Sequence, residues 1–207
     1  MADRGRAEVI ATVLLAAAAV GTAWATYQAA HWRSEQAAAG NRSTAARVQA
    51  NRAAALANRQ VQVQVETFIQ WVNARQAGDT ELATFYRRRF RPEFRPAFAA
   101  WIATRPFTAA DAPATPFDMP QWHSAATAQA DGLEAQGAAE ASVAAGFLER
   151  ADRYTLCVVL FAMTLFFAGL SIRLPSPRAQ AALVALACVV FLGAAIWVAT
   201  FPVSVAL

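Results

Sequence analysis

The residues of this chain with the most chemical potential gather in one short stretch. Residues 86–101 read YRRRFRPEFRPAFAAW, so Arg87, Arg88, Arg89, Arg91 and Arg95 sit among aromatic rings with one carboxylate, Glu93. Guanidinium groups at this density suit a carboxylate or phosphate, which they hold through paired N–H donors. Two readings stay open: a packed corner whose arginines pair across an oligomer interface, and an anion or lipid-headgroup site. Nucleic acid fits least, because a nucleic-acid footprint gathers basic residues on one surface, and here most arginines alternate with acids. Other chemistry is scarce. The chain has no G-x-S-x-G, H-E-x-x-H or C-x-x-C motif and no glycine-rich phosphate loop, so no catalytic, cofactor-binding or metal-ligating residue is assigned. The sequon at Asn41–Ser43 is short enough to be incidental.

The elements that must position these arginines are set by composition. Of the 207 residues, 57% are apolar and 15% charged, against usual values of roughly 45–50% and about 25%. The apolar excess is confined to three blocks, 9–30, 154–172 and 179–203, which carry no Asp, Glu, Lys, Arg or His. Blocks of ~18–25 such residues match the length needed to cross a hydrocarbon core of about 30 Å. The first could be cleaved after AWA as a signal peptide, but its helical pattern runs on past that point, so an uncleaved span is expected. Spans without ionisable groups argue against a proton-coupled carrier, while a pore lined by threonine and small residues stays allowed. Cys157 and Cys188 fall at different depths in two of the spans and read as small packing residues, not a disulfide.

Interfacial anchors are expected at Trp24, Tyr27 and Trp32 after the first span, at Tyr154 before the second, and at Trp197 and Phe201 near the end of the third, as one half of an aromatic belt. Arg4, Arg6, Arg173 and Arg178 mark the other side. The positive-inside rule then places 1–8 and the loop 173–178 in the cytoplasm and 31–153 and the tail 204–207 outside. All 18 basic residues are arginine and alanine is abundant, a bias of high-GC bacterial genomes, so a bacterial inner (plasma) membrane is the expected location. Ala17, Gly21 and Ala25 form a small-xxx-small stripe on the first span, which predicts a helix-packing interface and self-association.

Residues 31–153 read as a helical hairpin, with arms 31–77 and 121–152 and a small cap, 79–120. Val61, Val65, Phe68 and Val72 share one helical stripe. Gly78 reads as a helix stop and Asp79 as the next N-cap. Short helices follow at 80–91 and 92–104, with Pro92 and Pro96 tolerated in the first turns of the second. A proline-punctuated loop leads to a helix that starts at Gln121 and continues into the second span. On it, Leu133, Gly137, Glu140, Ala144, Phe147 and Ala151 recur at helical spacing. Phe85, Phe90, Phe94, Phe98 and Trp101 are expected to pack the cap, with Glu93 paired to Arg89. His31 and Glu35 have a metal-compatible i, i+4 spacing, but the third candidate, His123, stands roughly 30 helical residues, about 45 Å, from the membrane surface where His31 sits. A shared metal site is therefore not expected.

The segments RRRFRPEFRPAFAAWIATRPF, DAPATPFDMP and YTLCVVLFAMTLFFAGLSIRL, preceded by AWATYQAAHWRSEQA, resemble in kind and order an uncharacterised family of bacterial three-helix membrane proteins with a domain of unknown function. That family carries no established activity, so the resemblance implies architecture alone. The fold class expected is all-α: three transmembrane helices with an extramembrane helical hairpin and small cap between the first and second. The function expected is that of a non-enzymatic, homo-oligomeric membrane protein without cofactor, a pore or channel with an extended outer vestibule. The alternative is a membrane-anchored scaffold or accessory subunit that binds a partner envelope protein through its cap.

Overall fold

The computed structural model describes residues 2–201, with side chains from Arg6 onward. The tail 204–207, the last two residues of the expected third span and the Arg4 side chain lie outside the described residues. All regular structure among the described residues is helical: α1 (Ala2–Gln76), α2 (Thr80–Arg89), α3 (Arg95–Ala103), a 3₁₀ turn (Pro116–Asp118), α4 (Ala125–Ser171) and α5 (Pro177–Ala199). α1, α4 and α5 are long and apolar enough to cross a membrane.

The chain divides into two compact units, Met1–Arg42 with Ala139–Leu207, and Ser43–Ala138, so that α1 and α4 contribute to both. In the first unit, burial follows a seven-residue repeat. Ala11, Ala18, Ala25, Trp32 and Ala39 of α1 are buried, as are Ala144 and Ala151, and Tyr154, Phe161 and Ala168, of α4, and Gln180, Ala187 and Ala194 of α5. A sustained repeat of seven is the pattern of knobs-into-holes packing with a left-handed twist. Most knobs are alanine, which lets helix backbones come close, and the few large ones fill what remains. Phe161 reaches Gly21, where an added Cβ would meet its ring at 2.9 Å. The outward positions are apolar: Val13 and Val20 of α1, Val159 and Phe166 of α4, and Val189 and Ile196 of α5 are exposed.

Three expected anchors are corrected. Trp32 and Phe201 are only 8% and 7% exposed, and Tyr154 is fully buried. Trp32 stacks on Phe147 at 5.6 Å with the Arg150 guanidinium 4.8 Å from its ring centroid, and Tyr154 meets Phe201 edge-on at 5.3 Å. All three are large rings in an alanine-rich seam, where filling space outweighs facing an interface. Trp24, Tyr27 and Trp197 are exposed, as an interfacial role requires.

The second unit is held by rings. Phe68 and Trp71 of α1, Phe90 and Phe94 at the α2–α3 junction, and Phe98 and Trp101 of α3 form one buried cluster. Edge-to-face pairs dominate it, with Trp71–Phe98 at 4.7 Å and Phe90–Phe98 at 4.8 Å, the arrangement that ring quadrupoles favour. The indole N–H of Trp101 donates to the Pro113 carbonyl (2.7 Å), which ties the long loop to α3. Further along α1 the close approach of α4 is made by small residues, as the Ser43 hydroxyl donates to the Gly137 carbonyl (2.7 Å).

The turn after α1 is a compact glycine stop. Gly78 takes φ +76°, its N–H donates to the Arg75 carbonyl, and the Asp79 N–H reaches back to Ala74, a Schellman closure. Asp79 then caps α2, its carboxylate accepting from the Leu82 N–H (2.9 Å). Four boundaries differ from expectation. α2 ends at Arg89 and α3 starts only at Arg95, because Pro92 interrupts the helical hydrogen-bond ladder. α4 starts at Ala125 instead of Gln121, since the Ser124 hydroxyl accepts from the Thr127 N–H and so sets the N-cap. α5 starts at Pro177, where proline suits the first helical turn.

Candidate functional site

Over the C-terminal part of α1 the buried stripe is Ala57, Gln64, Phe68, Trp71 and Ala74, rotated so that Phe68 alone of the stripe read from sequence stays buried. Val61, Val65 and Val72 lie at its edge, half-buried. Two forces set the rotation. Trp71 offers more apolar area than any valine, and the helix break at Pro92 leaves the Arg91 backbone N–H without a helical partner, so that it donates to Gln64 Oε1 (3.1 Å). The buried Gln64 thus satisfies a part-buried backbone donor.

That rotation brings Trp71 under α2 and α3, beside a cleft of about 530 Å³. α2 presents Thr80, Ala83, Thr84 and Arg87 to it, one helical face at i, i+3, i+4 and i+7. Trp71, Phe98 and Phe107 supply the apolar wall, and Arg75, Arg87 and Arg105 the charge; no Asp or Glu lines it. The Arg75 guanidinium lies 5.4 Å from the Phe107 ring centroid and 6.0 Å from that of Trp71. Ion pairs among the described residues join Arg42 to Glu140, Arg91 to Glu93 and Arg153 to Glu149, so none of the three cleft arginines is paired. Arg105 takes φ 56°, an uncommon backbone state for a residue with a side chain. It is held there by N–H groups of Thr108 and Ala109, which both donate to its carbonyl at 3.0 Å.

The five arginines read from sequence separate into different roles. Arg87 lines the cleft. With Arg88 and Arg95 it also lines a neighbouring cleft of about 450 Å³. Arg95 is structural, donating to the carbonyls of Phe90 (3.0 Å) and Arg88 (3.3 Å) and so satisfying the C-terminal end of α2. Arg89 stacks over Phe85, 3.4 Å from the centroid, and Glu93 pairs with Arg91. The expected Glu93–Arg89 pair does not form, because the helix ends between them. Phe85 is 44% exposed and belongs to that surface stack instead of the ring core. Arg75 and Arg105 were missed by sequence reasoning; they stand 12 and 18 positions from Arg87 in the chain. The available signal was the Gly78 stop, which folds α2 back beside Arg75.

Gly21 packs within the chain against Phe161, and Ala25 is fully buried, while Ala17 is half-buried. Within the chain, Gly21 of the small-residue stripe thus packs against α4. His31 meets Trp32 edge-on, and His123 Nδ1 contacts the Trp122 carbonyl, each an engagement with a chain neighbour. Cys157 and Cys188 are free and pack in different clusters of the first unit. No family model, curated protein or solved structure matches the chain.

Proposed function

We propose that the chain is a non-enzymatic, membrane-anchored protein of a bacterial envelope, in which Ser43–Ala138 is the recognition unit. The anchor comprises the three long apolar helices, with the N-terminus and the loop 173–178 cytoplasmic and 31–153 outside, arranged as a helical hairpin with a small cap. The observation that carries this reading is the contrast in exposed chemistry. The first unit turns valine, phenylalanine and isoleucine outward, which suits lipid. The second opens an arginine-lined, acid-free cleft, which suits a ligand in water. The lysine-free, alanine-rich composition supports a bacterial source. Self-assembly into a pore loses the feature that favoured it, since Phe161 occupies the space beside Gly21. An accessory or scaffold role is therefore the better supported reading.

The test is an alkaline carbonate wash of membranes containing the full chain, followed by planar-bilayer recording of the purified protein. Retention in the membrane with no discrete conductance steps is expected. Release into the wash would overturn the anchor, and stepwise conductance would restore the pore.

A further inference from the structure

We infer that the cleft between α2, α3 and the 105–108 turn binds a phosphate monoester carried on a flat or extended apolar body. This inference rests on Ser43–Ala138 being the recognition unit and names its ligand class. Three features of the cleft select that chemistry. Its volume, about 530 Å³, lies within the roughly 300–1,000 Å³ typical of small-ligand pockets. Arg75, Arg87 and Arg105 share it without a carboxylate among its lining residues. Like charges gathered this way repel one another, and a dianion relieves more of that repulsion than a monoanion does. Two of the three lining hydroxyls donate elsewhere, Thr84 to the Thr80 carbonyl (2.8 Å) and Thr108 to that of Arg105 (3.3 Å). The Thr80 hydroxyl and the guanidinium N–H groups are therefore the donors left for a ligand, and the guanidinium groups are the charged ones.

The apolar side of the ligand follows from the wall. Phe107 is 48% exposed although Trp71 and Trp101 pack against it, so one part of its ring is left for a flat or aliphatic group. The backbone supplies an independent observation. Arg105 is the one described residue other than glycine with a positive φ, and strained conformations of this kind cluster where a side chain is held for a ligand. Aspartate, asparagine or glycine would hold that turn with less strain; an arginine there places a guanidinium at the rim opposite α2. The shared chemistry, a phosphate monoester on an apolar body, has two sources: a soluble organic phosphate and a lipid headgroup of the phosphatidic acid type.

The experiment uses the full chain in phosphatidylcholine nanodiscs, with phenyl phosphate as the probe, followed by calorimetry and by tryptophan fluorescence. Saturable one-to-one binding is expected, at least about tenfold tighter than inorganic phosphate and weakening as salt shortens the screening length from about 10 Å at 0.1 M to about 3 Å at 1 M. Arg87→Gln should lose about tenfold, the equivalent of ~1.4 kcal/mol, while Arg52→Gln, which is in the same unit but not in the cleft, should bind as the parent does. Arg105→Gly separates binding from folding. Glycine accepts the positive φ, so this variant should melt no lower than the parent and still lose about tenfold in affinity. Competition by a water-soluble short-chain phosphatidic acid added in solution assigns the lipid source, and its absence assigns the soluble one. No saturable binding of either probe, or a well-folded Arg105→Gly variant that binds like the parent, overturns the inference. A chain retained in carbonate-washed membranes that binds neither probe loses this site but keeps its anchor. A chain that washes off and still binds keeps the site and loses the anchor.

Discussion

In the unit formed by Met1–Arg42 and Ala139–Leu207, alanine meets alanine: Ala11, Ala18, Ala25, Ala168, Ala187 and Ala194 are all buried. In Ser43–Ala138, ring meets ring, with Phe68, Trp71, Phe90, Phe94, Phe98 and Trp101 in one cluster. Under the proposed anchoring, the two solutions answer two solvents. Between helices in lipid there is no hydrophobic driving force, so stability comes from close backbone approach and dispersion, which small residues allow. In water the burial of ring area is itself the driving force, and a short unit with few large aliphatics gains most from aromatics. The same chain thus uses its smallest and its largest apolar residues for the same task in different surroundings.

This contrast can be broken most severely at Phe94, which is fully buried and packs against Phe90, Phe98, Phe117 and Trp122. Phe94→Ala should destabilise the second unit by ~3–5 kcal/mol, measured by chemical unfolding followed through tryptophan fluorescence. Phe85→Ala, at an exposed ring, should cost less than about 1 kcal/mol in the same assay. Equal losses would mean that the ring cluster is not what holds the unit.

Gly21→Leu attacks the small-residue solution. A Cβ there already approaches Phe161 to 2.9 Å, so the longer side chain should destabilise the first unit by ~1–3 kcal/mol through overpacking. Adding Phe161→Ala opens the space, and the double variant should be more stable than the sum of the two single losses predicts. Strict additivity in thermal unfolding in nanodiscs would place Gly21 at some other contact.

Smaller effects sharpen the comparison. Asp79→Ala removes the cap that receives the Leu82 N–H and should cost about 1 kcal/mol, read as a lower melting temperature with unchanged membrane retention. Arg42→Ala removes the half-exposed pair with Glu140 and should cost less than about 1 kcal/mol, vanishing at high salt. A large, salt-independent loss at Arg42 would show a packing role instead.

The sequence displayed the helices well where their signals are local. The three apolar blocks, the Gly78 stop and the Asp79 cap each depend on a few adjacent residues. The stripe Leu133, Gly137, Glu140, Ala144, Phe147 and Ala151 also lies inward, buried or half-buried throughout, because a seven-residue repeat survives in the sequence of one helix. Legibility failed where the deciding partner is remote. Gln64 looks like a surface residue until Pro92 strands the Arg91 N–H 27 positions away. Trp32 and Tyr154 look like belt residues until Phe147 and Phe201 are seen against them. The cleft was half legible: Arg87 stood out in an arginine run, whereas Arg75 and Arg105 join it only after two turns of the chain.

The division into a lipid-facing unit and a water-facing unit is tested most directly by thiol accessibility in native membranes. In a chain with Cys157 and Cys188 replaced by alanine, single cysteines are placed at Val20, Val189 and Ile196, exposed positions of the first unit, and at Ala112 and Thr108 of the second. A membrane-impermeant maleimide should label the second group from outside the cytoplasmic membrane and leave the first group unlabelled until detergent is added. Equal labelling of both groups before detergent would contradict the division, because it would put the exposed valines and isoleucine of the first unit in water.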